Sequence, residues 1–142
     1  METFTPTSFS FVPNASGPAQ LLVVDDEIEH AEICAALLRR RGYTVAVASS
    51  GRQAVDLARA LKPDLILLDL YMPAVDGFST AEDLHGHDDT RQVPIVILSA
   101  SNEALTSPRV EALGVVGCLA KPFHARELIE CVERALPRAP QR

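Results

Sequence analysis

Five short apolar segments recur along the chain, and four of them end on residues that can do chemistry. Leu21-Leu22-Val23-Val24 ends in Asp25-Asp26, and Leu65-Ile66-Leu67-Leu68 ends in Asp69. Ile95-Val96-Ile97-Leu98 ends in Ser99, and the segment from Val115 to Ala120 ends in Lys121-Pro122. The remaining one, Tyr43 to Ala48, alternates with β-branched residues. Runs of this length bounded by turn formers read as strands. Most are apolar at every position, which strands covered on both faces require.

Helical spacing separates the runs. From about Glu29 to Arg41, the set Ile33, Ala36, Leu37 and Arg40 repeats at helical intervals. Gly42 stops that helix, and Arg39-Arg40-Arg41 complements the negative end of its dipole. Ser50 caps a second helix through Leu61, and Pro63 forces a turn. A loop containing Met72-Pro73 and Asp76-Gly77 leads to a short helix near Ser79–His85. Residues 102–113 form a weaker helical stretch, and a last helix runs from about Ala125 to Leu136.

Strands alternating with helices build a parallel sheet with helices on both faces. Right-handed crossovers leave few arrangements. The expected fold is α/β: a flavodoxin-like, doubly wound sheet of five parallel strands in the order 2-1-3-4-5, with five helices. The expected organisation is an N-terminal extension over 1–18, one domain over 19–136 and a tail over 137–142. The extension is polar, with Phe4, Phe9, Phe11 and Val12 interrupting it.

The 142 residues carry a net charge of −6, which argues against direct DNA binding because that requires basic surface. No apolar run approaches a membrane span, so no membrane association is expected. Cys34, Cys118 and Cys131 form no C-x-x-C pair and read as small buried residues in a reducing compartment. The N-terminus lacks the basic start and apolar core of a signal peptide, so a cytoplasmic address is expected.

The chemistry follows from position. In an open parallel sheet, ligand sites lie outside the carboxyl ends of the strands. The expected order makes strands one and three neighbours and brings Asp25, Asp26 and Asp69 together. Clustered carboxylates repel, so either some stay protonated or a cation sits among them. Oxygen ligands suit a hard ion, and Mg²⁺ fits best. Lys121 and Ser99 offer a phosphoryl group a positive charge and a hydroxyl donor. A carboxylate beside Mg²⁺ can itself become the nucleophile, and Asp69, the central one, is the expected acceptor.

This constellation resembles the receiver domain of bacterial two-component response regulators, of the chemotaxis-regulator kind. The resemblance spans about residues 20 to 136. It rests on Asp25-Asp26, Asp69 in LLLDLYMP, the Met72-Pro73-x-x-x-Gly77 loop, Ser99-Ala100 and Lys121-Pro122-Phe123, in that order. It implies that Asp69 accepts a phosphoryl group from a phosphohistidine on a sensor histidine kinase or histidine phosphotransfer protein. Asp26, Asp69 and the backbone carbonyl of Tyr71 would bind Mg²⁺ directly, and Asp25 through water. Lys121 would pair with the phosphoryl oxygens, and its bond to Pro122 would be cis. Ser99 would report the phosphoryl group, and the Ala100 N–H would bind another of its oxygens. Output would pass to a downstream protein target or along a relay, from a monomer or a phosphorylation-dependent dimer.

Three features depart from the family pattern. Cys118 stands where an aromatic switch residue is usual, three positions before Lys121. Ser107-Pro108 falls inside the fourth helix and is expected to start it. Tyr71 and Ser101 stand at positions that tune phosphoryl lifetime. The reading is a stand-alone switch that catalyses only its own phosphorylation and dephosphorylation. The competing reading is a phosphorylation-independent interaction or dimerisation module. A Mg²⁺-dependent phosphohydrolase finds no Asp-x-Asp-x-Thr in the first strand, and no P-loop occurs. His85-x-His87-Asp88-Asp89 reads as a solvated turn rather than a metal site, and His30 and His124 as surface residues near helix starts.

Overall fold

The structure is a computed structural model describing residues 18–72, 75–99, 108 and 112–136; for 71, 72, 75 and 76 it describes the backbone alone. Five strands form one parallel sheet: β1 (Gln20–Val24), β2 (Thr44–Ala48), β3 (Leu65–Asp69), β4 (Ile95–Ser99) and β5 (Val115–Ala120). Their order is β2-β1-β3-β4-β5, the doubly wound arrangement expected.

Four helices are described: α1 (Ile28–Arg40), α2 (Gly51–Leu61), α3 (Gly77–Gly86) and α4 (Ala125–Ala135). The fifth expected helix, over 102–113, falls largely outside the described residues, although Pro108 and Ala112 are helical. Residues 1–17 and 137–142, with Ala100, Ser101 and Ser107, also lie outside them. Among the described residues, no helix is long and apolar enough to cross a membrane.

The solid apolar runs are explained by two cores. Strand side chains alternate between faces. Leu21, Val23, Leu65, Leu67, Val96 and Leu98 pack with Cys34, Leu38, Leu128 and Val132 of α1 and α4. Leu22, Val24, Ile66, Leu68, Ile95 and Ile97 pack with Ala54, Ala58, Ala81 and Leu84 of α2 and α3. The central strands therefore bury both faces. Edge strand β5 instead alternates intermediate and exposed positions.

Three local readings need correction. The face of α1 that meets the sheet is Ala31, Cys34, Ala35 and Leu38. Ile33, Ala36 and Arg40 of the expected set are exposed. Small side chains let the helix sit close to the sheet, so Ile33 was the wrong guide. The segment 71–76 is not a plain loop: Tyr71–Met72 and Val75–Asp76 pair as a short antiparallel hairpin. Cys118 is exposed, not buried like Cys34 and Cys131, because it stands on the edge strand.

The punctuation behaves as its chemistry dictates. Ser50 accepts a hydrogen bond from the Gln53 N–H at 3.1 Å, capping α2. Gly42 takes φ +99°, a left-handed conformation that suits glycine, where the chain turns from α1 into β2. Lys62, just before Pro63, closes α2 in the left-handed region, its N–H bonded to the Ala58 carbonyl.

Candidate functional site

Four strand ends meet at one edge of the sheet. Asp25 leaves β1 with its N–H bonded to the Ala48 carbonyl of β2. Asp69 is the last residue of β3, and the following Leu70 N–H bonds to the Leu98 carbonyl of β4. Ser99 ends β4, and its carbonyl accepts from the Lys121 N–H at 2.8 Å, tying the ends of β4 and β5 together. The bond from Lys121 to Pro122 is cis.

Asp25, Asp26 and Asp69 each place a carboxylate oxygen within 4.8 Å of the other two. Asp25 is 3% exposed and Asp69 6%, whereas Asp26 is half-buried. Asp25 Oδ1 also accepts the Glu27 N–H at 2.9 Å, which fixes its carboxylate at the entry to α1. The Lys121 ammonium lies 3.3 Å from Asp69 Oδ2 and 3.5 Å from Asp25 Oδ2. Burial alone would lower its pKa, but the two carboxylates outweigh that and hold it above the ordinary lysine value. Ser99 is fully buried at the adjacent strand end.

The floor behind Asp69 depends on Gly77. A Cβ there would meet Leu70 Cα and O at 2.6 Å and the Asp69 carbonyl at 2.7 Å. The hairpin returns so tightly that only glycine fits, and the Gly77 N–H bonds to the Leu70 carbonyl at 3.2 Å.

Of the remaining site residues, the Tyr71 backbone follows directly in the hairpin, and Ala100 lies outside the described residues. His30 lies on the rim, with Nδ1 3.1 Å from Glu27 Oε1 and 3.9 Å from Asp25 Oδ2. Nothing in its sequence setting distinguished it from a surface residue, because only the approach of α1 to the β1 end brings it there. Three side chains of His85-x-His87-Asp88-Asp89 go to separate partners. His87 bonds the Asp83 carbonyl, Asp88 pairs with Arg91 and Asp89 with Arg59.

Comparisons with known proteins agree with this geometry. Residues 21–133 match the family described as response regulator receiver domain. The chain is 37% identical over 116 residues to the transcriptional regulatory protein ZraR of Escherichia coli K12, covering 82% of this chain but 26% of that protein. Among solved structures, the chemotaxis protein CheY4 of Vibrio cholerae superposes with a TM-score of 0.77 at 31% identity, over 84% of this chain and 100% of that one. The receiver domain of the sensor histidine kinase PA1611 from Pseudomonas aeruginosa PAO1 superposes with a TM-score of 0.73 at 33% identity, over 84% and 98%. That structure holds a magnesium ion coordinated in its active-site cleft. With a family match over most of its length and the parallel sheet to go with it, the chain belongs to the receiver domains of response regulators.

Proposed function

We propose that the chain is a phosphorylation-controlled switch in which Asp69 accepts a phosphoryl group from a phosphohistidine donor. The observation that carries this reading is the pairing of a buried strand-end carboxylate, Asp69, with the Lys121 ammonium at 3.3 Å, beside two further carboxylates. An oxygen of Asp69 attacks phosphorus, and the P–N bond of the donor breaks with its electron pair going to the imidazole nitrogen. Lys121 offsets charge on the transferring group. Ser99, one strand over, offers it a hydroxyl.

The acidic cluster fits a Mg²⁺ ion. Three carboxylate oxygens within 4.8 Å of one another offer the hard oxygen donors that Mg²⁺ takes, one or two directly and the rest through its retained waters. Asp26, Asp69 and the Tyr71 carbonyl would be the direct ligands, with Asp25 the indirect one. When bound, Mg²⁺ supplies positive charge against the phosphoryl oxygens. The Ala100 N–H is assigned a further phosphoryl oxygen.

The new group adds roughly −1.5 to −2 charges and three strong acceptors. Satisfying them requires Ser99 and Lys121 to shift, and both sit at the carboxyl ends of β4 and β5. The change is thereby passed to the surfaces flanking β5. The receiver unit is assigned to residues 19–136. A histidine kinase or phosphotransfer protein is the donor class, a protein is the downstream target, and the cytoplasm is the compartment.

Intact mass after incubation with acetyl phosphate tests the reading. One phosphoryl group should be added in Mg²⁺, none in EDTA, and none to Asp69→Asn. No uptake by folded wild type, from acetyl phosphate or a phosphohistidine protein, would overturn it in favour of a phosphorylation-independent interaction module.

A further inference from the structure

Beside the acidic pocket, a groove of about 490 Å³ runs between α1 and the loop after β5. Ile33, Cys34, Pro122 and Phe123 line it, and Asp25, His30 and Lys121 close its end. Ile33 is 60% exposed on the groove wall. A large aliphatic this exposed beside an apolar groove offers a docking surface.

We propose that the chain's own N-terminal segment, residues 4–12, docks in this groove. Three features favour that occupant. The segment carries Phe4, Phe9, Phe11 and Val12 and no charged side chain, so it brings apolar contacts without opposing charge. Pro6 and Pro13 favour extended backbone around it, and in an extended chain Phe9 and Phe11, two apart, share one side.

The tether also has the right origin and length. Ala19 packs into the same core cluster as Cys34 and Phe123, so the segment enters on the face that carries the groove. The Ala19 carbonyl accepts from the Thr44 N–H, which places it near the Arg40 end of α1. Ile33 lies seven residues from Arg40, about 11 Å along the helix at 1.5 Å per residue. Phe11 lies eight residues before Ala19, a reach of about 26 Å at 3.3 Å per residue. The groove is well within range, and a short tether gives the segment an effective concentration in the millimolar range. The docking itself does not depend on phosphorylation.

Amide NMR on the full chain tests this against the triple substitution Phe4→Ser, Phe9→Ser, Phe11→Ser, which leaves the described core untouched. The amides of Ile33, Cys34 and Phe123 should shift, while those of β1 and β3 should not. Ile33→Ser should in turn move the amides of Phe9 and Phe11, and neither effect should change on dilution. Unmoved groove amides in the triple variant would overturn the proposal. Shifts that fade on dilution would overturn it too, by assigning the groove to the segment of a second copy.

Discussion

Lys121 Nζ stands 3.3 Å from Asp69 Oδ2, joining the ends of two strands separated in the sheet by β4. The same ammonium reaches Asp25 at 3.5 Å, so one cation offsets two nearly buried carboxylates.

Lys121→Met should therefore destabilise the metal-free protein by about 1–3 kcal/mol, because the carboxylates lose their charged partner. Urea denaturation in EDTA measures the loss. Added Mg²⁺ should recover a larger share of stability in the variant than in wild type, since a divalent ion takes over the neutralisation. Equal recovery in both proteins would argue against an ion among the three acids.

The same pair predicts a response to high pH. The carboxylates raise the folded-state pKa of Lys121 above its ordinary 10.5 despite the opposing effect of burial. The stabilisation is thus fully present below about 10.5 and is lost as pH rises through the higher folded value. Burial also pushes Tyr43 and the three thiols up. The informative quantity is therefore the difference between wild type and Lys121→Met in Mg²⁺-free buffer. That difference should be constant from neutral pH to about pH 10 and shrink above it.

Gly77→Ala tests the floor of the pocket. The new methyl would lie 2.6 Å from Leu70 backbone atoms, which cannot move aside as a flexible side chain would. We expect a loss of at least about 1–3 kcal/mol, typical of overpacking, with weaker Mg²⁺ binding because Leu70 adjoins Asp69. Gly86→Ala, where a Cβ meets nothing within 4 Å, is the matched control and should leave both properties nearly unchanged.

Thiol chemistry should separate the cysteines. Cys118 is exposed, whereas Cys34 and Cys131 are buried. A disulfide reagent should titrate one thiol quickly in the native protein and all three after unfolding. Cys118→Ser should remove the fast phase.

The strand ends and their chemistry were legible because apolar runs buried on both faces leave a plain signature, and each polar residue ends its run abruptly. The face of α1 was not legible. Ile33 looked like a core residue, but the sheet accepts Ala31, Cys34 and Ala35 because close packing favours small side chains there. Cys118 was misread because the burial of the central strands was extended to β5, although the expected order already puts that strand at the edge, where one side lacks a neighbour. His30 gained its place on the rim only when α1 packed against the end of β1.

Local chemistry in the sequence determined the strands, the Ser50 cap, and the residue types available at the carboxyl edge of the sheet. Tertiary structure decided which of them meet. Asp69 and Lys121 are 52 positions apart, and only the pairing of β3 with β4 and of β4 with β5 brings their charges into contact. Periodicity reports how each segment divides between core and solvent. It carries no record of distances across a sheet, and those distances set the electrostatics of the pocket.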